Sequence, residues 1–146
     1  MKSIIEFTED YRFLSNFWIC NELINYASLS SYSTESIYQA CKSLHPTETK
    51  QIAAMLPSRA KRAAKTIKYP NPNFHAQKLE VMQDLVLIKF RQPDLKELLL
   101  ATKDAELIEG NWWHDSFWGL DFHTNQGLNH LGHILMTTRA IIKNET

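Results

Sequence analysis

Residues 34–42 read Thr-Glu-Ser-Ile-Tyr-Gln-Ala-Cys-Lys. On a helix, Glu35, Gln39 and Lys42 fall at i, i+4 and i+7 and share one face, while Ile37, Ala40 and Cys41 lie mostly on another. A carboxylate, a carboxamide and an amine stacked along one face can move protons, or form an imine once the amine is desolvated. The same spacing also describes an ordinary solvated Glu/Lys face. A second stretch, Tyr11-Arg12-Phe13-Leu14-Ser15-Asn16-Phe17, alternates aromatic and polar groups. Arg12 could fork onto a phosphate, and Phe13 or Phe17 could stack on a base. The alternative is a strand and turn that fill a core.

A third stretch, Glu109-Gly110-Asn111-Trp112-Trp113-His114-Asp115-Ser116-Phe117-Trp118-Gly119, holds three of the 4 tryptophans within seven residues. An acid among aromatic faces suits recognition of a flat ring and control of a carboxyl group. The competing reading is a satellite cluster that covers the core. The fourth is basic: Ser58-Arg59-Ala60-Lys61-Arg62, then Lys65 and Lys68. It reads as a phosphate-binding patch or as a solvated face. Lys89 lies where it could reach a pocket edge. Asn129, near the start of the last helix, could aim at a ligand, and Arg139 lies farther along it.

Several chemistries are absent from the pattern. Gly127 and Gly132 have P-loop separation, but His133 follows where lysine is required. There is no G-x-G-x-x-G and no G-x-S-x-G. His130 and His133 stand at i, i+3, which could bring two imidazoles to one metal or merely mark two polar helix positions. No Cys or third His accompanies them at metal spacing, so no metal is expected.

These residues need elements to hold them. The pattern predicts a strand at 3–7 and a hairpin of 17–20 with 22–26 around Asn21. Ser33 or Thr34 should cap a helix from Glu35 to about Leu44, and Thr47 the next, which stops near Pro57. Ser58 should cap a short basic helix over 59–67. Asn71-Pro72 reads as cap and first-turn proline of the longest helix, ending near Phe90. Leu79, Met82, Val86 and Phe90 form its core stripe. Pro93 opens a helix through about Ala101. A strand is expected at 106–109, an aromatic loop at 110–125 and a final helix at 126–143 bearing Leu128, Leu131, Leu135, Thr138 and Ile142. The fold class is α+β, helix-rich, with a few short strands.

The chain has 146 residues, 44% of them apolar, with 16 Lys plus Arg against 16 Asp plus Glu. That length predicts a single domain over residues 1–146 with one proper core. Only 4 glycines are present, so no flexible hinge is expected. A zero charge balance argues against a tail-driven nucleic-acid binder, though not against a local basic cleft. The longest apolar runs, 85–88 and 98–101, are far short of a membrane span, so no membrane association is expected. Glu6 interrupts any signal-peptide core at the N-terminus. The 2 cysteines, Cys20 and Cys41, make neither a disulfide scaffold nor a zinc ribbon. Together these features predict a soluble, cytoplasmic protein.

The four stretches occur in an order that resembles the NADAR family. The match runs through Tyr11 to Phe17 (F/Y-x-F-L-S-N-F), Thr34-Glu35 to Lys42 (S/T-E-x-x-Y/F-Q-A-x-K) and Ser58-Arg59-Ala60-Lys61. It continues through Met82 with Lys89-Phe90, then Leu98 to Thr102 (L-L-x-T) and Asp115 to Gly119 (D-x-x-W-G). It ends on Asn129-His130-Leu131-Gly132 with Leu135-Met136 and Arg139. The resemblance implies the NADAR (YbiA-like) fold and cleavage of N-glycosidic bonds to ribose. The implied substrates are ADP-ribose attached to the amino group of guanine, in DNA or a nucleotide, or the phosphoribosylamino-pyrimidine intermediates of riboflavin synthesis. In each, the anomeric carbon of a phosphorylated ribose bears an amino group outside the heterocyclic ring, and such a glycosylamine can open to an imine. A partner ADP-ribosyltransferase toxin would fit the first substrate.

On this resemblance the catalytic residues are Glu35, Lys42 and Asp115, which should converge on one sugar carbon. Glu35 would handle protons, and Lys42 would stabilise charge or attack the anomeric carbon. Asp115 would orient the ribose or protonate the leaving amine. The substrate-binding set is Arg12, Phe13, Ser15, Asn16, Tyr38, Gln39, Lys61, Lys89, Trp118, Gly119 and Asn129. Arg12, Lys61 and Lys89 would face the phosphates, and Phe13 and Trp118 would sandwich the base. No metal or diffusible cofactor is expected. Three departures bear on substrate choice: Phe74 in place of a tryptophan, Arg62-Ala63-Ala64-Lys65 in place of a Gly-Arg pair, and 120–125 in place of a glycine-rich stretch. The rival readings are a non-catalytic module holding ADP-ribose or NAD, and an interaction domain using the tryptophans.

Overall fold

The structure, a computed structural model, describes residues 2–146. In chain order it contains β1 (Ser3–Ile4), a 3-10 helix (Glu9–Leu14), β2 (Ile24–Tyr26), β3 (Leu29–Ser31), α1 (Thr34–Ala40), α2 (Pro46–Ala53) and α3 (Pro57–Ala63). A 3-10 turn (Ala64–Thr66), α4 (Phe74–Phe90), α5 (Pro93–Ala101), β4 (Glu106–Leu107), β5 (Gly110–Asn111), β6 (Leu120–Asp121) and α6 (His130–Asn144) follow. The class is α+β and helix-rich, with the strands in short pairs. The chain divides into two compact units, Asn16–Lys89 and a discontinuous one formed by the residues up to Ser15 with Phe90–Thr146. No helix among the described residues is long and apolar enough to cross a membrane.

In the unit Asn16–Lys89, β2 and β3 form an antiparallel hairpin, with Ile24 opposite Ser31 and Tyr26 opposite Leu29. This corrects the expected hairpin around Asn21. Phe17 and Ile19 are exposed and Cys20 N donates to Tyr32 O at 2.7 Å instead of to a hairpin partner, whereas Ile24 and Leu29 are buried. The turn falls on Ala27 and Ser28, with Ala27 at φ 53°.

Helix α1 starts as expected, the Ser33 hydroxyl accepting from Ser36 N at 3.1 Å. It ends at Ala40, four residues early. Residues 42–44 instead join the segment 69–71, with Leu44 N donating to Tyr69 O at 2.8 Å and Asn71 N to Lys42 O at 2.8 Å. His45 precedes Pro46, which steers it away from helical geometry. Helix α2 is therefore capped by His45, whose Nδ1 accepts from Thr47 N at 3.2 Å, and not by Thr47. Pro57 opens α3 one residue ahead of Ser58, and the basic helix relaxes to a 3-10 turn after Ala63. Helix α4 ends at Phe90 as expected but begins only at Phe74, so Asn71 and Pro72 lie in the turn before it, where Asn71 Oδ1 accepts from Asn73 N at 3.0 Å. Met82, Leu85 and Val86 are buried, while Leu79, expected in the stripe, is 37% exposed.

In the discontinuous unit, β1 pairs with β4 in parallel, Ser3 with Glu106 and Ile4 with Leu107. The expected strands 3–7 and 106–109 shrink to two residues each. Phe13 packs edge-on against Phe90, ring centroids 6.3 Å apart. The 110–125 stretch is not a plain loop: β5 and β6 pair in parallel, Gly110 with Leu120 and Asn111 with Asp121. Helix α6 starts at His130, later than expected, because Gln126 O accepts from Asp121 N at 2.9 Å and leaves the 126–128 segment outside the helix. Leu131, Leu135, Thr138 and Ile142 are buried as expected, and Leu128 is exposed.

Candidate active site

Every residue of α1 is buried, including its polar ones. A polar helix is stable in such a place only if its side chains find partners. Ser36 does so, donating from Oγ to Met55 O at 2.7 Å and accepting from Ser33 Oγ at 2.8 Å. Glu35, 7% exposed, accepts at Oε1 from Gln39 Nε2 at 2.7 Å, one turn along the helix. The solvated-face alternative is thereby excluded for both residues. The bond to a carboxylate fixes the orientation of the Gln39 amide, so its Oε1 points away from Glu35. That Oε1 is buried with no hydrogen-bond partner. A buried acceptor left unpaired costs about 1–3 kcal/mol, and an N–H or O–H donor from a bound molecule would recover it. Thr34 Oγ1, on the residue just before Glu35, is in the same condition.

Lys42 lies just past the C-terminal end of α1, half-buried in the turn formed by Lys42 N to Gln39 O at 3.1 Å. It is held by the turn rather than by a continuing helix, yet it stays within the field of Glu35. Its ammonium sits 5.5 Å from the Tyr38 ring centre and 5.8 Å from that of Phe74. The two rings meet at 65° with centroids 5.2 Å apart, forming an aromatic corner. Burial pulls the Lys42 amine below its ordinary pKa, with Lys61 and Lys78 adding repulsion while Glu35 pulls the other way. A lysine so placed exposes more neutral, nucleophilic amine at a given pH. The neighbouring Cys41 is the opposite case: burial pushes its thiol up to about 11. Since the thiolate is the reactive form, Cys41 is no nucleophile at neutral pH.

Asn16 holds the start of this arrangement. Its carbonyl accepts from Glu35 N at 3.0 Å, and its Nδ2 donates to Met82 Sδ at 3.5 Å. Phe17 is exposed, with the Lys61 ammonium 5.8 Å from its ring centre. Lys89 is enclosed at 1% exposure, which places it inside the fold and not at a pocket edge. The unit Asn16–Lys89 thus gathers Glu35, Tyr38, Gln39 and Lys42 into one cluster. Phe74 and Lys78 join it without having been proposed as site residues. Phe74 stood out only as a departure from the family pattern, and Lys78 gave no signal.

The other expected residues belong to the discontinuous unit. Arg12 is exposed in the last turn of the Glu9–Leu14 helix, and Ser15 N caps that turn on Arg12 O at 3.0 Å. Phe13 is buried against Phe90, so it is a core residue and not a stacking platform. Asp115 Oδ1 accepts from Phe117 N at 3.0 Å and Trp118 N at 2.9 Å. One carboxylate oxygen therefore shapes the turn that presents Trp118, which is half-buried. Asn111, missed in the sequence, anchors the same loop: its amide bonds Asp115 O at 2.8 Å and Asp115 N at 2.9 Å.

Gly119 and Asn129 read as structural. A Cβ on Gly119 would lie 2.0 Å from Glu109 O. The Asn129 amide is tied to backbone, donating to Leu107 O and accepting from Glu109 N, each at 3.0 Å. It extends the strand ladder where α6 begins. Gly132 lets α6 lie against that strand, since a Cβ there would sit 2.1 Å from Leu107 O.

The chain is similar to known proteins. An N-glycosidase of Nostoc punctiforme is 46% identical over 68 residues, 46% of this chain and 42% of the relative. The chloroplastic riboflavin biosynthesis protein PYRR of Arabidopsis thaliana is 42% identical over 64 residues, 43% of this chain and 10% of that protein. The matched stretches thus span less than half the length of these curated relatives. The NMR structure of the Escherichia coli protein YbiA superposes with a TM-score of 0.84 at 32% identity, covering 99% of this chain and 88% of that one. The NADAR domain model itself matches residues 5–143, so the chain belongs to the NADAR domain family.

Proposed function

We propose that this protein is an N-glycosidase that hydrolyses the bond between a phosphorylated ribose and an exocyclic amine. The observation that carries the reading is the buried Glu35–Gln39 pair with the Lys42 amine, depressed in pKa, in its field. The Glu35 carboxylate carries the exocyclic N–H proton to the ribose ring oxygen as the glycosylamine opens to an imine. Neutral Lys42 adds to the anomeric carbon. The heterocyclic amine leaves with a proton, and a lysine–sugar Schiff base remains. Water activated by Glu35 then hydrolyses it, returning Lys42 and a free sugar. The net reaction consumes one water and yields the free amine and the phosphorylated ribose. The unpaired Gln39 Oε1 suits a ribose hydroxyl or the exocyclic N–H of the substrate.

The substrate assigned to this chemistry is ADP-ribose on the amino group of guanine. Lys61 would face a phosphate and Phe17 a ring, a pairing that supports a nucleotide-like ligand. A partner ADP-ribosyltransferase toxin, whose product would be removed, belongs to the same proposal. The similarity to a riboflavin biosynthesis protein favours a second reading, phosphoribosylamino-pyrimidines. Cys20 and Cys41 are not joined in a disulfide, which suits the reducing, cytoplasmic setting proposed for the protein. The test is parallel incubation with an oligonucleotide carrying ADP-ribosylated guanine and with the pyrimidine intermediate, reading released base and sugar. Release from the oligonucleotide supports the first reading, and release from the pyrimidine alone transfers the assignment to the second. Tight binding without release from either would make the protein a non-catalytic ADP-ribose module.

A further inference from the structure

The stretch following β5 and ending past β6 carries a second constellation. His114, Asp121 and His123 each offer an atom, one ring nitrogen per histidine and a carboxylate oxygen, and these atoms all lie within 4.8 Å of one another. Asp121 is buried, while both histidines are exposed. Asp121 and His123 belong to 120–125, where the sequence departs from the glycine-rich pattern of the family.

We propose that His114, Asp121 and His123 form a site for one divalent transition-metal ion of the zinc class. Two imidazoles and a carboxylate are a donor set such an ion favours, and three protein ligands leave a fourth position for water. His114 Nδ1 and Asp121 Oδ2 are 3.2 Å apart. Two ligand atoms on tetrahedral zinc stand about 3.4 Å apart, given bonds of about 2.1 Å. The ion therefore takes the place of the proton those two atoms share, with little movement. His123 Nε2 lies 2.8 Å from Trp112 O. A carbonyl only accepts, so Nε2 carries the proton and Nδ1 keeps the lone pair. This hydrogen bond to the outer ring nitrogen is the kind that orients ligating histidines. The two rings are stacked 4.3 Å apart at 24°, with one nitrogen of each and an Asp121 carboxylate oxygen inside the same 4.8 Å cluster.

Asp121 is held ready for this role. Its Oδ1 accepts from His123 N at 2.9 Å, leaving Oδ2 toward His114. His114 adopts φ 64°, a left-handed conformation that histidine tolerates better than most residues but that still costs free energy. The bound ion would staple the tryptophan loop to β6.

The test is zinc chloride titrated into the EDTA-treated full chain, followed by calorimetry, thermal melting and the histidine ring resonances. The expected result is one ion per chain and a rise in Tm of about 5 °C or more at a hundred times Kd. The signals of His114 and His123 should move while those of His45, His75, His130 and His133 do not. His114→Ala and His123→Ala, both at exposed positions, should each weaken binding at least about tenfold. The proposal is overturned if 1 mM zinc leaves Tm and ring signals unchanged. It is equally overturned if binding persists undiminished in the double variant, the ion then sitting elsewhere.

Discussion

Replacing Glu35 with glutamine removes one charge and almost no shape. Gln39 Nε2 can donate to the new amide oxygen across the same 2.7 Å, so α1 should keep its geometry. What is lost is a buried proton carrier, and general acid–base groups of this kind are worth roughly 10² to 10⁴ in rate. A hundredfold loss corresponds to about 2.7 kcal/mol of transition-state stabilisation. A second effect follows from the charges around Lys42. Glu35 is the group that raises its pKa, against burial, Lys61 and Lys78. Glu35→Gln should therefore lower the Lys42 pKa further from an already depressed value. Because the neutral amine is the reactive form, the ascending limb of the wild-type pH–rate profile should lie below 10.5, and that of any residual activity in the variant lower still. The assay is released base by chromatography across pH, with Lys42 Nζ titrated by NMR in both proteins. Near-normal turnover in Glu35→Gln, or a Lys42 titration that ignores the substitution, would refute the reasoning.

Other outcomes follow from the same geometry. Lys42→Ala should fold, lose at least about a hundredfold in turnover, and abolish the borohydride-trapped sugar adduct that peptide mapping should find on Lys42 of the wild type; Lys42→Arg should restore neither. Ser33→Ala deletes the cap on α1 and should cost about 1 kcal/mol in denaturant unfolding. Gly132→Ala drives a methyl group to 2.1 Å from Leu107 O and should destabilise by roughly 3 kcal/mol or more, visible as a fall in the urea midpoint. The Glu48 carboxyl is held below its ordinary range by Ser43 Oγ first and by the Lys68 and Tyr69 N–H groups. A depressed folded pKa stabilises at neutral pH, and that contribution disappears as pH falls through it. Glu48→Gln should accordingly flatten the acid limb of the stability profile.

Much of the helical framework was legible because its signals are local. A proline at the first turn marks α5, and a periodic apolar stripe marks α4, without reference to the rest of the chain. The misplacements have tertiary causes. α1 stops at Ala40 because 42–44 pair with 69–71, a contact that no window around Lys42 contains. The hairpin moved because burial of Ile24 and Leu29 outweighed the turn propensity of Asn21. Strands of two residues leave almost no period to read, and the β5–β6 pair was hidden among tryptophans for that reason. At the site, spacing alone brought Glu35 and Gln39 together correctly, but it could not decide between a wet face and a buried one. Asn129 and Gly119 matched family motifs and proved to hold backbone together, while Phe13 turned inward. A motif position shows that a residue type is needed there, not whether a ligand or a carbonyl needs it.

The central claim concerns which side of the exocyclic nitrogen is cut. Hydrolysis in ¹⁸O-water, with both products read by mass spectrometry, answers it directly. Cleavage at the anomeric carbon predicts an amino-base of unchanged mass and label only in the sugar. A labelled base that has lost its amino nitrogen, or no release of base at all, would contradict the account.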